Sequence, residues 1–353
     1  MYFIATCRMP QAAGRWPLAQ TAEPTPTPFP RMLSSSAAAA AAGTGTGAGD
    51  GASGGGGYWE PHTSSIDFCE PNYVHTALIA EVHNAWSSLL GLSAVGLLGL
   101  VRGNPTGERR YVALYSVLGG VGIGSALLHS TLHRYFQGAD ELPMIYLVLC
   151  LAYCVMEAEE GDGDGGGGGG GGGGRGDGRG GSRRRRRRTR HLPAALALLS
   201  LVLTAAYCAS RHLYVAFLVT FAVLVVAVTA GLVRLVFVRG DRSGRGRADA
   251  RRLFWTGEVW FTLVGVPVWA ADMVLCRGTV LPAAMGLPGR WTGLTPHVIW
   301  HLAAGMGAYC LALSTATCRA EALGVPCRVR YALGGAVPLA AAAVSRAAPQ
   351  KEE

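Results

Sequence analysis

The chain has 353 residues, of which 50% are hydrophobic and only 15% charged, and its mean hydropathy is +0.27. Its apolar residues come in long blocks instead of recurring every three or four positions, which excludes an ordinary soluble globular enzyme. The net charge of +9 does not point to nucleic acid. Nearly all of it is arginine in connecting stretches, the run Arg183 to Arg188 lies between two apolar spans, and no aromatic platform is interleaved with it. Nine cysteines, scattered and without a C-x-x-C pair, exclude a disulfide scaffold.

Taken in order, residues 1–57 are Pro-Thr repeats, alanines and glycines. They offer too little apolar surface to offset the entropy of ordering, so the segment reads as disordered. Its arginines (Arg8, Arg15, Arg31) and scarcity of acids leave a cleaved targeting segment as the alternative. From residue 58 to 318 the texture is that of a membrane bundle. About 20 apolar residues are needed to cross a hydrocarbon core of ~30 Å. Such blocks lie at 79–101, 111–131, 140–157, 193–209, 213–236, 254–275 and 296–316, which predicts an all-α, seven-transmembrane helical bundle. The stretch 161–191, rich in Gly and Arg, is a flexible insert in the third connection, and 319–353 is a basic tail.

Arginine asymmetry predicts the orientation. The first connection carries Arg102, Arg109 and Arg110, the third the six-arginine run, and the fifth Arg239, Arg242, Arg245, Arg247, Arg251 and Arg252. The even connections hold Arg134, then Arg211, then Arg277 and Arg290. The odd connections and the C-terminus are therefore expected on the cytoplasmic side, with the N-terminus lumenal.

Ionisable groups inside apolar spans are costly and so are functional candidates. Ser125 and His129 share one face near the end of the second span, Asp140 opens the third, and His297 and His301 stand four apart at the start of the seventh. Three imidazoles entering from one side suit a zinc ion with an open fourth position, which is a hydrolytic arrangement. Spacing leaves two choices open: His133 also pairs with His129 at four residues, and Glu141 competes with Asp140 for the acid–base role. A second cluster, Asp67, Glu70, Asn72 and Glu81, precedes the first span. It reads either as an oxygen-rich calcium site or as an acidic turn capping that helix.

Four blocks, "TSSIDFCEPNY", "IAEVHNAWSSL", "GIGSALLHSTLHRYFQGADELPMIY" and "HVIWHLAAGMGAY", occur in this order, and together they resemble the alkaline ceramidase family of the endoplasmic reticulum and Golgi. The resemblance implies a seven-helix, zinc-dependent hydrolase of ceramide. It places zinc ligands on His129, His297 and His301 and the catalytic pair on Ser125 and Asp140. It also implies calcium ligands at Asp67, the carbonyl of Phe68, Glu70, Asn72 and Glu81, and a disulfide between Cys69 and Cys276. His133 falls outside the implied ligand set, and His83 stands where an aromatic residue is usual. The rival readings are a receptor of the adiponectin/progestin type, which shares the metal-site logic, and a proton-coupled transporter. A transporter would be expected to show internal repeats, and none is seen.

Overall fold

The computed structural model describes residues 57–66, 68–158, 191–209, 214–238, 245–275, 294–335 and 337–342. The expected N-terminal segment, the Gly/Arg insert, Asp67 and Cys276 lie outside them.

Among the described residues, seven helices are long and apolar enough to cross a membrane. They are α1 (Val82–Arg102), α2 (Arg109–Thr131), α3 (Arg134–Glu157), α4 (Leu192–Ala209), α5 (Phe217–Val238), α6 (Gly246–Val274) and α7 (Pro296–Ala322). Every expected span has its helix. Two, α3 and α6, begin well before the expected positions 140 and 254, because polar residues at their starts are satisfied by the protein. In α3 the buried Gln137 accepts hydrogen bonds from the Ser65 amide and hydroxyl at 2.9 and 3.1 Å. In α6 Arg247 donates to the Leu235 carbonyl at 2.6 Å and pairs with Glu321 at 3.4 Å.

Helix α7 is the centre of the bundle and α4 its periphery. Nineteen residues of α7 are buried, while α4 has none. Leu198, Leu201 and Val202 of α4, and Val215, Val219, Val223 and Val226 around α5, all stand exposed. An apolar girdle of this kind suits lipid and would be an aggregation liability in water.

Close helix approach rests on small residues, as is common where apolar helices cannot be driven together by water. A Cβ on Gly305 of α7 would collide with the Gly91 carbonyl of α1, and one on Gly91 would meet the His301 carbonyl at 2.6 Å. Between α2 and α3, a Cβ on Gly124 would run into the Ala139 carbonyl. Pro143 sits inside α3 and has no N–H to offer the carbonyl four residues back, which is that of Ala139. The freed carbonyl thus faces Gly124 of α2, which has no side chain to obstruct it.

At the far end of the bundle Glu108 accepts from Arg110 (2.6 Å) and Arg319 (3.0 Å), tying the α1–α2 connection to α7. Beyond α7 the chain forms an antiparallel hairpin, β1 (Cys327–Ala332) with β2 (Val337–Ala342), which the basic composition of the tail does not predict. Tyr309 of α7 donates to the Pro338 carbonyl at 2.7 Å and anchors the hairpin to the bundle.

Candidate metal centre

The end of α2 and the start of α1 are positioned by the segment that precedes the bundle. A helix leaves its last carbonyls without intrahelical partners. Here those of His129, Ser130 and Leu132 accept from the amides of Glu81 (2.9 Å), Ala80 (3.0 Å), and both Thr63 and Ser64 (3.1 and 2.9 Å). Leu132, at φ 50°, turns the chain out of the helix. At the start of α1, Glu70 accepts from the His83 and Asn84 amides at 2.8 and 2.7 Å. The preceding segment therefore caps two helix ends at once. Helix α7 starts conventionally, with Thr295 as N-cap accepting from the Val298 amide and Pro296 in its first turn.

This framework brings His129, His297 and His301 together, all buried, with one nitrogen of each within 4.8 Å of the others. Their ring centroids are 4.6–5.0 Å apart. Each Nδ1 faces a side chain of the protein. That of His129 contacts Glu81 Oε2 at 2.6 Å and that of His297 contacts Asp272 Oδ2 at 3.4 Å. That of His301 meets the Ser87 hydroxyl at 2.8 Å; Ser87 spends its own proton on the Asn84 carbonyl, so the imidazole is the donor. At His129 and His301 donation through Nδ1 leaves Nε2 as the lone-pair nitrogen, Asp272 approaches the Nδ1 of His297 at ion-pair distance, and partners of these kinds orient metal-binding histidines. The Nε2 of His129 is buried with no hydrogen-bond partner, a costly state that a metal ion relieves. The residues present therefore fit a metal ion held by three neutral imidazoles.

Ser125 Oγ lies 3.3 Å from His301 Nε2 and 3.0 Å from Ser88 Oγ, and its hydroxyl also hydrogen-bonds the half-buried Asp140 carboxylate. The structure thus links Asp140, Ser125 and His301 in one chain of contacts. Glu141 points elsewhere, accepting from Gln137 at 2.7 Å and bonding Tyr207 of α4. His133 turns outward, its Nε2 donating to the Trp59 carbonyl at 2.6 Å. Neither alternative left open by spacing reaches the cluster.

The acidic segment is arranged differently. Glu70 and Glu81 are buried and close enough to repel, whereas Asn72 is exposed. Burial pushes the Glu70 pKa up to about 7, the two amides it caps pull it down, and the Glu81 charge raises it further. The two carboxylates are near enough to interact, and each has a protein partner: Glu70 caps α1 and Glu81 holds His129. The Phe68 ring lies on His129 and His297, with centroids 4.6 and 4.2 Å away, so this residue covers the histidine cluster as well. Cys69 is disulfide-bonded. Sequence reasoning missed Ser87, Ser88 and Asp272. The first two carry no signal, but Asp272 is an acid inside an apolar span and was open to the same argument as Asp140.

The ceramidase family model matches residues 60–332. The chain belongs to the ceramidase family. It is 29% identical to an alkaline ceramidase of Saccharomyces cerevisiae over 291 residues, covering 78% of this chain and 83% of that protein. It is 25% identical to the alkaline ceramidase of Arabidopsis thaliana over 279 residues, covering 78% and 92%. Similarity to mouse alkaline ceramidase 3 is higher but shorter, 43% over 102 residues, or 29% of this chain and 38% of the mouse protein.

Proposed function

We infer that this member of the ceramidase family is a membrane-embedded amidohydrolase that cleaves ceramide, or a phytoceramide, to a sphingoid base and a free fatty acid. The observation that carries the reading is the contact chain Asp140–Ser125–His301 beside three buried imidazoles. In this reading His129, His297 and His301 hold zinc. Zinc held there would supply Lewis acidity toward the amide carbonyl oxygen and would acidify a water.

The chain's own residues do the rest. Asp140 takes the proton of the attacking water and returns it to the departing amine. Once Asp140 is protonated it no longer needs the Ser125 proton, and the Ser125 hydroxyl donates a hydrogen bond to the oxygen on which charge develops, a contribution of ~2.7–4 kcal/mol for donors of this kind. In this reading Asp140 is committed to the water proton and His301 to the metal, so a hydrogen-bonding role suits Ser125 better than a nucleophilic one. Glu81, Ser87 and Asp272 orient the imidazoles, and the Phe68 ring shields them from bulk water. The apolar helices supply the medium for the two lipid chains of the substrate.

The finer parts of the proposal follow the family pattern. Calcium is held by Asp67, the Phe68 carbonyl, Glu70, Asn72 and Glu81, and steadies the segment that caps α1 and α2. Cys69 pairs with Cys276, on the lumenal side where disulfides persist. The arginine asymmetry supports a lumenal N-terminus and a cytoplasmic C-terminus, in the membrane of the endoplasmic reticulum or Golgi.

The test is release of fatty acid from a panel of ceramides by the purified protein, with and without chelator, and with zinc or calcium restored. Hydrolysis that chelation abolishes and zinc restores is expected. A preparation with full zinc content that hydrolyses no N-acyl sphingoid would overturn the reading.

A further inference from the structure

We propose that His75 and His83 form a second, solvent-accessible metal site for a borderline divalent cation such as Zn²⁺, Ni²⁺ or Cu²⁺. Their Nε2 atoms face each other 3.0 Å apart, with the rings edge to face at 85° and centroids 4.8 Å apart. Two nitrogens bound to one tetrahedral ion at ~2.0–2.1 Å stand about 3.3 Å apart, so the pair needs to open by only about 0.3 Å. With both rings neutral, the contact is one shared proton between two nitrogens. An ion replaces it with two nitrogen–metal bonds. His75 is exposed and His83 half-buried, so water can complete the coordination. The donors are imidazole nitrogens alone, which favours a borderline cation over calcium or magnesium.

The two histidines stand on different pieces of chain. His75 lies in the loop closed by the Tyr73 amide on the Ala80 carbonyl at 2.7 Å. His83 is in the first turn of α1, and its amide donates to Glu70 at 2.8 Å. An ion bridging them cross-links that loop to the helix start, beside Glu81 and its contact with His129. The site shares no ligand with the buried histidine cluster and does not depend on the activity proposed above.

The experiment titrates Zn²⁺ into the purified full chain, already loaded at its tight site, against a metal indicator. The unaltered protein is expected to take up one further equivalent. His75→Gln and His83→Gln should each weaken that uptake at least tenfold, and the double variant should weaken it little more, because the pair acts as one unit. Zinc retained after a chelator wash should be unchanged in His75→Gln, whose substitution is in an exposed loop and carries the test even if His83→Gln does not fold. No further uptake by the unaltered protein, or equal uptake by it and His75→Gln, overturns the proposal.

Discussion

The histidine cluster and the acidic segment beside it are both candidate metal sites, and they are built on opposite plans. The histidine cluster is assembled from helix faces, is buried throughout, and has a side chain facing every Nδ1, so one nitrogen of each ring converges on a common point. The acidic segment is a loop whose carboxylates already have work: Glu70 caps α1 and Glu81 fixes His129. A cation there must share its ligands with the architecture, whereas an ion at the histidines completes an arrangement that is otherwise unsatisfied. One region is a preorganised centre and the other is a brace, with Glu81 belonging to both.

The contrast can be broken most sharply at the histidines. His301→Ala should release the tightly held zinc and lower ceramide hydrolysis at least about 10³-fold, since Lewis-acid stabilisation amounts to several kcal/mol. Metal analysis and turnover on the same preparation check it. Full zinc retention would mean that the ion sits elsewhere. Asp140→Asn comes next, with an expected loss of ~10²–10⁴ in turnover and unchanged zinc content. Ser125→Ala should cost ~10²–10³, also with zinc retained. If either variant lost the metal, its role would be structural.

Much of this was legible in the sequence, for identifiable reasons. Apolar blocks located all seven helices, because a hydrocarbon medium tolerates few alternatives. The errors sit at helix starts such as Arg134 and Gly246, where Gln137 and Arg247 find partners that only folding reveals. Four-residue spacing put His297 and His301 on one face, but it equally favoured His129 with His133. The family resemblance sets His133 aside, and its contact with the Trp59 carbonyl shows where it goes instead. Ser87 and Ser88 were invisible, since serines in apolar helices are common. They matter because α1 crosses α7 at Gly91 and Gly305, which brings that face to His301. Asp272 was visible in principle, although the same rule would have flagged Glu258, whose carboxylate is occupied by Thr229 and Thr262.

Glu81 is where the two plans meet, so Glu81→Gln sharpens the comparison. A loss of ~10–100-fold in zinc affinity or activity is expected for an orienting carboxylate. Calcium stabilisation should fall with it. A variant that lost calcium response and kept zinc affinity unchanged would show the two regions to be independent, despite the 2.6 Å contact between Glu81 and His129.

The smallest effect is the most discriminating for the brace. Glu70→Gln keeps an acceptor for one of the two α1 amides, each of which bonds its own carboxylate oxygen, while removing the negative charge. If Glu70 is only a cap, the variant loses about 1 kcal/mol and calcium raises its melting temperature as much as that of the unaltered protein. If Glu70 is also a ligand, the stabilisation by calcium, about 2.7 kcal/mol at a hundredfold excess over Kd, shrinks or vanishes. The charge argument favours the second outcome. Two buried carboxylates that repel each other gain little from being neighbours unless something positive lies between them. Thermal unfolding with and without calcium, on both proteins, therefore separates a helix cap from a metal ligand at a residue that is geometrically suited to either.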